Sequence, residues 1–153
     1  MRRITNPNGM IRLMSASLLL LTSLLGQASP NAYTVNDAQS KGTVQTRSGR
    51  LDYEARASQL VLKGPEGEPE CRMFHVTYSK AGSDPAKRPV TFCFNGGPGS
   101  ATIWLHMGGL GPVMAPLEDD GAMPSPPYDA IPNPDTWLDF TDLVFIDAPN
   151  TGF

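Results

Sequence analysis

The apolar positions of this 153-residue chain fall into short runs separated by glycine, proline and charge. Thr43-Val44-Gln45-Thr46 and the stretch from Leu51 to Leu62 are β-prone and flank Ser48-Gly49-Arg50, which predicts a hairpin. Gly64 to Pro69 is a turn by composition, and Arg72 to Tyr78 reads as a third strand. After a loop from Ala81 to Pro89, the nearly all-apolar Val90-Thr91-Phe92-Cys93-Phe94 predicts a strand buried on both faces. It runs directly into Asn95-Gly96-Gly97-Pro98-Gly99-Ser100. From Ser100 to Met107 a short helix is expected, with Ser100 as its cap and Gly108-Gly109 as its end. Gly111 to Asp135 is rich in proline and acid without periodicity, and a loop of that length is expected to act or to cover something. Thr136-Trp137-Leu138 then leads to a second buried strand, Leu143 to Asp147, and a turn at Ala148-Pro149.

Strands first, then apolar strands feeding loops and a helix, imply an α/β class of which only the first strands are present. Parallel strands need long crossovers, and the sheet reads as incomplete. The amino terminus is of a different kind. Arg2, Arg3 and Arg12 precede the apolar run Met14 to Leu25, and Gly26 and Ala28 follow as small residues two apart. The run is about a dozen residues, too short to span a bilayer core. A buried helix or a membrane anchor is the alternative, but a helix without a polar face is poor core material. The pattern predicts a signal peptide over residues 1–28, with no stable membrane anchor and a secreted or periplasmic product. Residues 29–48 follow as a flexible or edge-strand segment, polar from Ser29 to Lys41, and 49–153 as the domain proper.

The net charge is −3, and no acidic block exceeds Glu118-Asp119-Asp120, so neither nucleic acid nor an anionic membrane is implied as a partner. Two cysteines, Cys71 and Cys93, are a weak disulfide signal. Cys93 lies in an apolar strand, where a thiol serves as a small hydrophobe, and both are read as unpaired. No His, Cys and Asp cluster has ligand spacing, so no metal or organic cofactor is implied.

Three glycines around a proline after a strand let the backbone turn sharply and expose converging N–H groups. On the pentapeptide alone, an ordinary turn is an equal reading. Its place after roughly the third strand matches the loop that supplies one oxyanion donor in α/β-hydrolases. Arg88 to Ala101 resembles the strand and oxyanion loop of the serine carboxypeptidase family. Gly109-Leu110-Gly111-Pro112, Asn133-Pro134-Asp135-Thr136-Trp137 and Asp142 to Phe153 resemble the landmarks that follow, in family order, in its bacterial carboxypeptidase-related branch.

That resemblance implies an amino-terminal portion of the fold and a peptide substrate with a free C-terminus. It implies an oxyanion N–H from Gly97, a loop shaped by Gly96, and a grip on the substrate carboxylate by Asn95. One position departs: the family's exopeptidases usually place Glu before Leu-Gly-Pro, and Gly109 stands here. No serine sits in a Gly-x-Ser-x-Gly elbow, and the triad order Ser, Asp, His would follow the strands visible here. None of the triad is therefore expected among these residues, and the chain alone is expected to be inactive. His75 is read as structural or exposed, His106 as near the loop but not catalytic, and Asp147 as a turn or cap residue. Trp104 and Trp137 are read as core or pocket-wall aromatics. An esterase, an acyltransferase or an inert product are the other readings.

Overall fold

The computed structural model describes residues 37–97 and 99–152. The expected leader over 1–28 lies outside them. The strands are β1 (Ala38–Thr46), β2 (Gly49–Lys63), β3 (Pro69–Lys80), β4 (Val90–Phe94), β5 (Val113–Met114), β6 (Ile131–Pro132) and β7 (Asp142–Ile146). Five form one sheet in the order β1-β2-β3-β7-β4, and β5 with β6 forms a second, two-stranded one. Among the described residues, helix is confined to single turns, including α1 (Ile103–Leu105) with the wider turn His106–Leu110 after it. No helix among the described residues is long and apolar enough to cross a membrane. The result is a mostly-strand mixed sheet, compatible with the amino-terminal part of an α/β fold.

Its hairpin forms where the glycine allows. The turn residues are Arg47 and Ser48, and Gly49 opens β2 at φ +128, a conformation that side chains disfavour. Thr46 Oγ1 closes the turn by donating to the Gly49 carbonyl at 3.0 Å. β1 starts at Ala38, within the segment expected to be flexible or an edge strand, and its polar residues pair through backbone with Lys41 opposite Glu54. β1 to β3 and β3 to β7 are antiparallel, whereas β4 runs parallel to β7 with Val90 opposite Asp142. Residues 95–141 make the crossover that a parallel pair requires.

The start of that parallel pair is pinned by charge. Arg88 donates from Nε to Asp142 Oδ1 at 2.8 Å and from its other nitrogen to the Leu138 carbonyl at 2.6 Å. Asp142 returns its backbone N–H to the Pro89 carbonyl at 2.9 Å. Both ionic side chains are mostly buried, and the extra hydrogen bonds offset the cost of removing them from water.

One sheet face carries the core, built by period-two alternation: Val44, Leu51, Tyr53, Tyr78, Cys93, Leu143 and Phe145, with Leu138 beneath. Tyr78 meets Tyr53 and Phe145 edge-on, at 5.7 and 6.1 Å between ring centres. Cys93 is buried here, Cys71 is half-buried, and both are free thiols.

The other face corrects the expectation for β4. Only Thr91 and Cys93 turn toward the core; Val90, Phe92 and Phe94 are 48%, 60% and 62% exposed. β4 is the edge strand, and no described element covers that face. Trp104 and Trp137 are also surface residues, 73% and 43% exposed, rather than core aromatics. Trp137 packs on exposed Phe140 at 5.8 Å.

Candidate active site

The glycine loop leaves the carboxyl end of β4 and is tied back on itself by its first residue. Asn95 Nδ2 donates to Ser100 Oγ at 2.7 Å and to the Ala101 carbonyl at 3.0 Å. A carbonyl only accepts, so the Ala101 contact fixes which end of the amide faces inward. Ser100, expected to cap the helix, is taken up by Asn95 instead, and the residue at the cap position is Thr102. Gly99 turns the chain at φ +82.

Gly96 and Gly97 differ sharply. A Cβ on Gly96 would meet nothing within 4 Å. One on Gly97 would lie 2.9 Å from the Gly99 nitrogen and 3.2 Å from that of Ser100, so the loop closes too tightly there for any side chain. Among the described residues, no acceptor takes the backbone N–H of Gly96 or Gly97.

Asp147, at the end of β7, docks α1 onto the sheet. Its Oδ1 accepts the Thr102 N–H at 2.7 Å, and its own N–H goes to the Phe74 carbonyl at 2.9 Å. A carboxylate at the start of a helical turn satisfies an otherwise orphaned donor. Its second oxygen occupies the space a Cβ would need at Gly152, where φ is +66. Asp147 is thus a turn and capping residue, as its position at the strand end predicts.

His106 turns away from this loop into the sheet. Its Nε2 shares a 2.6 Å hydrogen bond with the Tyr78 hydroxyl, and its ring stacks on Phe145 at 4.5 Å. Burial holds its pKa below the usual histidine value, while nearby Asp147 pulls the other way. Burial, with Tyr53 adding to it, pushes Tyr78 up to about 12. Beside them lies an apolar cavity of about 400 Å³, lined by Phe74, Val76, Ile103, His106 and Phe145. Ser100 is bonded to Asn95 and His106 to Tyr78, so the described residues near the loop do not pair a serine with a histidine base. His75 lies on β3, half-buried, with Nδ1 enclosed and unbonded.

Sequence reading missed the clamp on the next segment. Buried Asn133 donates from Nδ2 to the carbonyls of Gly109 at 2.7 Å and Gly111 at 2.8 Å. Its Oδ1 accepts from the Asp135 N–H, and its own N–H goes to Pro112. Thr136 Oγ1 adds the Leu110 carbonyl at 2.8 Å. Arg47 then forks onto Asp135, linking this loop to the first hairpin. The pairing has a signal only in hindsight: an Asn and a Thr three apart, set against a glycine-bounded Gly-Leu-Gly. Gly109 itself sits at φ 156, ψ −14, with nothing within 4 Å of where a Cβ would stand. The departure at this position therefore coincides with a backbone conformation that suits glycine.

No curated protein matches the chain. The family model described as serine carboxypeptidase matches residues 65–153, more than half of the chain. That span contains β4 and its glycine loop, the clamped Gly109–Pro112 segment and the Asp147 turn, so the three local arrangements described above all lie within it. The chain belongs to the serine carboxypeptidase family.

Proposed function

We propose that this chain forms one half of a serine-type peptide hydrolase site, acting on the C-terminal side of peptides through an acyl-enzyme. Gly97 supplies a backbone N–H to the developing oxyanion, and Gly96 shapes the approach. The nucleophile, the second donor and the base come from residues other than these 153. The observation that carries the reading is the loop after β4, with the Gly96 and Gly97 N–H groups left unbonded among the described residues. Donors fixed before reaction are worth several kcal/mol to a tetrahedral intermediate, because no reorganisation is needed as charge develops. The Asn95 tie to Ser100 and Ala101 provides that fixing.

On this proposal the 153 residues alone hydrolyse nothing, since an oxyanion loop without a nucleophile has no intermediate to stabilise. The product is exported, with cleavage near Ala28; amino-terminal sequencing of secreted material should start near Ser29. An esterase or acyltransferase using the same loop is the second reading. It is favoured by Gly109, where the terminal-carboxylate network of the family's exopeptidases would have an acid. The test is to read the coding sequence beyond Phe153 for a Gly-x-Ser-x-Gly elbow and to assay its product on peptides and esters. An elbow with peptide hydrolysis supports the proposal; a product with neither overturns it.

A further inference from the structure

We infer that Tyr78 and His106 are positioning residues for the glycine loop, and that the hydrogen bond between them keeps the Gly97 N–H in place for the oxyanion. The inference rests on the hydrolase reading above and adds to it what holds the donor still. A donor stabilises a developing charge best when it need not move into place, so whatever fixes the loop belongs to the site. α1 is only three residues long, and a single turn does not hold itself in water. Its outward residues, Ile103 and Trp104, are largely exposed and give it little hold.

Two points fix the turn to the sheet. The first is Thr102, whose N–H goes to Asp147 Oδ1 at 2.7 Å and whose hydroxyl goes to the Ile146 carbonyl. One point alone leaves the turn free to swing. The second lies one turn on, at His106, whose N–H returns to the Thr102 carbonyl at 2.9 Å. The His106 ring lies on Phe145, 4.5 Å between centres and 21° from parallel, and its Nε2 meets the Tyr78 hydroxyl at 2.6 Å. Leu105 also packs against the core, but apolar contact has no direction, whereas a hydrogen bond to a buried hydroxyl does. Tyr78 is itself held edge-on by Tyr53 and Phe145. From this peg, contact runs unbroken to the loop. Thr102 follows Ala101, whose carbonyl, with Ser100 Oγ, takes both hydrogens of the Asn95 amide. Gly97 packs so closely on the Ser100 backbone that a Cβ there would lie 3.2 Å from its nitrogen. A shift at His106 therefore reaches Gly97 through bonded or touching atoms at every step.

The experiment measures ¹⁵N relaxation order parameters in the labelled 153-residue chain and in three variants. In the parent, Gly96 and Gly97 are expected near about 0.85, as for rigid backbone. Tyr78→Phe removes only the hydroxyl, and His106→Leu keeps an apolar side chain of similar bulk. Each is expected to drop the two glycines below about 0.6 while β2 and β7 keep the parent values. His106→Gln, whose amide can again meet the Tyr78 hydroxyl, is expected to restore them. Folded Tyr78→Phe with parent values at both glycines would overturn the inference and leave the hydrolase reading standing. So would a loss of order spread evenly over the sheet, or a Gln variant as mobile as the Leu variant, since either marks plain packing. If His106→Leu does not fold, Tyr78→Phe decides alone. Order parameters below about 0.6 at both glycines in the parent itself would bring down the fixed donor and the half-site reading together.

Discussion

Replacing Asn133 by Ala tests whether the 109–112 segment is held by hydrogen bonds or merely packed. The side chain is 3% exposed and makes three hydrogen bonds, two donated to the Gly109 and Gly111 carbonyls and one accepted from Asp135. Alanine leaves the buried Gly111 carbonyl without a partner, whereas half-buried Gly109 can recover one from water. Each buried polar group left unpaired costs about 1–3 kcal/mol, so a loss of about 2–4 kcal/mol is expected for the three together. Against a total stability of about 5–15 kcal/mol, that is a large fraction. Asn133→Asp separates volume from bonding. It keeps shape and the Asp135 contact but turns a charged acceptor toward two carbonyl oxygens, so it should cost at least as much. Urea unfolding followed by tryptophan fluorescence measures both. If either variant stays within about 0.5 kcal/mol of the parent, as an ordinary surface change does, the clamp argument fails.

Gly109→Glu, which restores the family residue, should destabilise by about 1–3 kcal/mol through backbone strain alone, since a Cβ there meets open space. Gly109→Ala should cost the same, and a Glu variant as stable as the parent in urea would refute the assignment. The pH dependence follows from His106, whose folded pKa lies below its unfolded value of 6.5. The unfolded chain therefore binds the proton more readily: stability is full above that value and falls as pH drops from there toward the folded pKa. Unfolding midpoints between about pH 7 and 5 should show this decline, and His106→Asn should flatten it. The purified 153-residue chain should give no acyl-enzyme burst with activated peptide or ester substrates; a burst surviving contaminant controls would refute the missing-nucleophile argument.

The strands were legible in the sequence because their signals are local. Gly49 and the β-prone runs around it place the hairpin, and the apolar Leu143 to Ile146 places β7. The glycine loop was legible for the same reason, since only a backbone free of Cβ atoms can close as Gly97 and Gly99 do. Burial was harder to read. The apolar run of β4 says that its side chains avoid water, not that a neighbour covers Phe92 and Phe94. The core alternative for Trp104 fails for the same reason. β1 begins earlier than expected because edge pairing at Gln39, Ser40 and Lys41 is a backbone matter on which hydrophobic pattern is silent. β5 and β6, two residues each, are too short for any period to register. The Asn133 clamp spans more than twenty residues, and no local pattern announces a contact of that range.

The most direct test of the proposed oxyanion loop is kcat for Gly97→Ala in an active protein that contains these residues, measured beside Gly108→Ala. A Cβ at 97 strikes the Gly99 and Ser100 nitrogens and displaces the proposed donor, whereas one at 108 meets nothing within 4 Å. Losing one such donor lowers kcat about a hundredfold or more while leaving KM nearly unchanged, because the bond strengthens only as the oxyanion forms. That split at 97, with wild-type kinetics at 108, is the predicted result; a Gly97→Ala enzyme with full kcat would contradict the account.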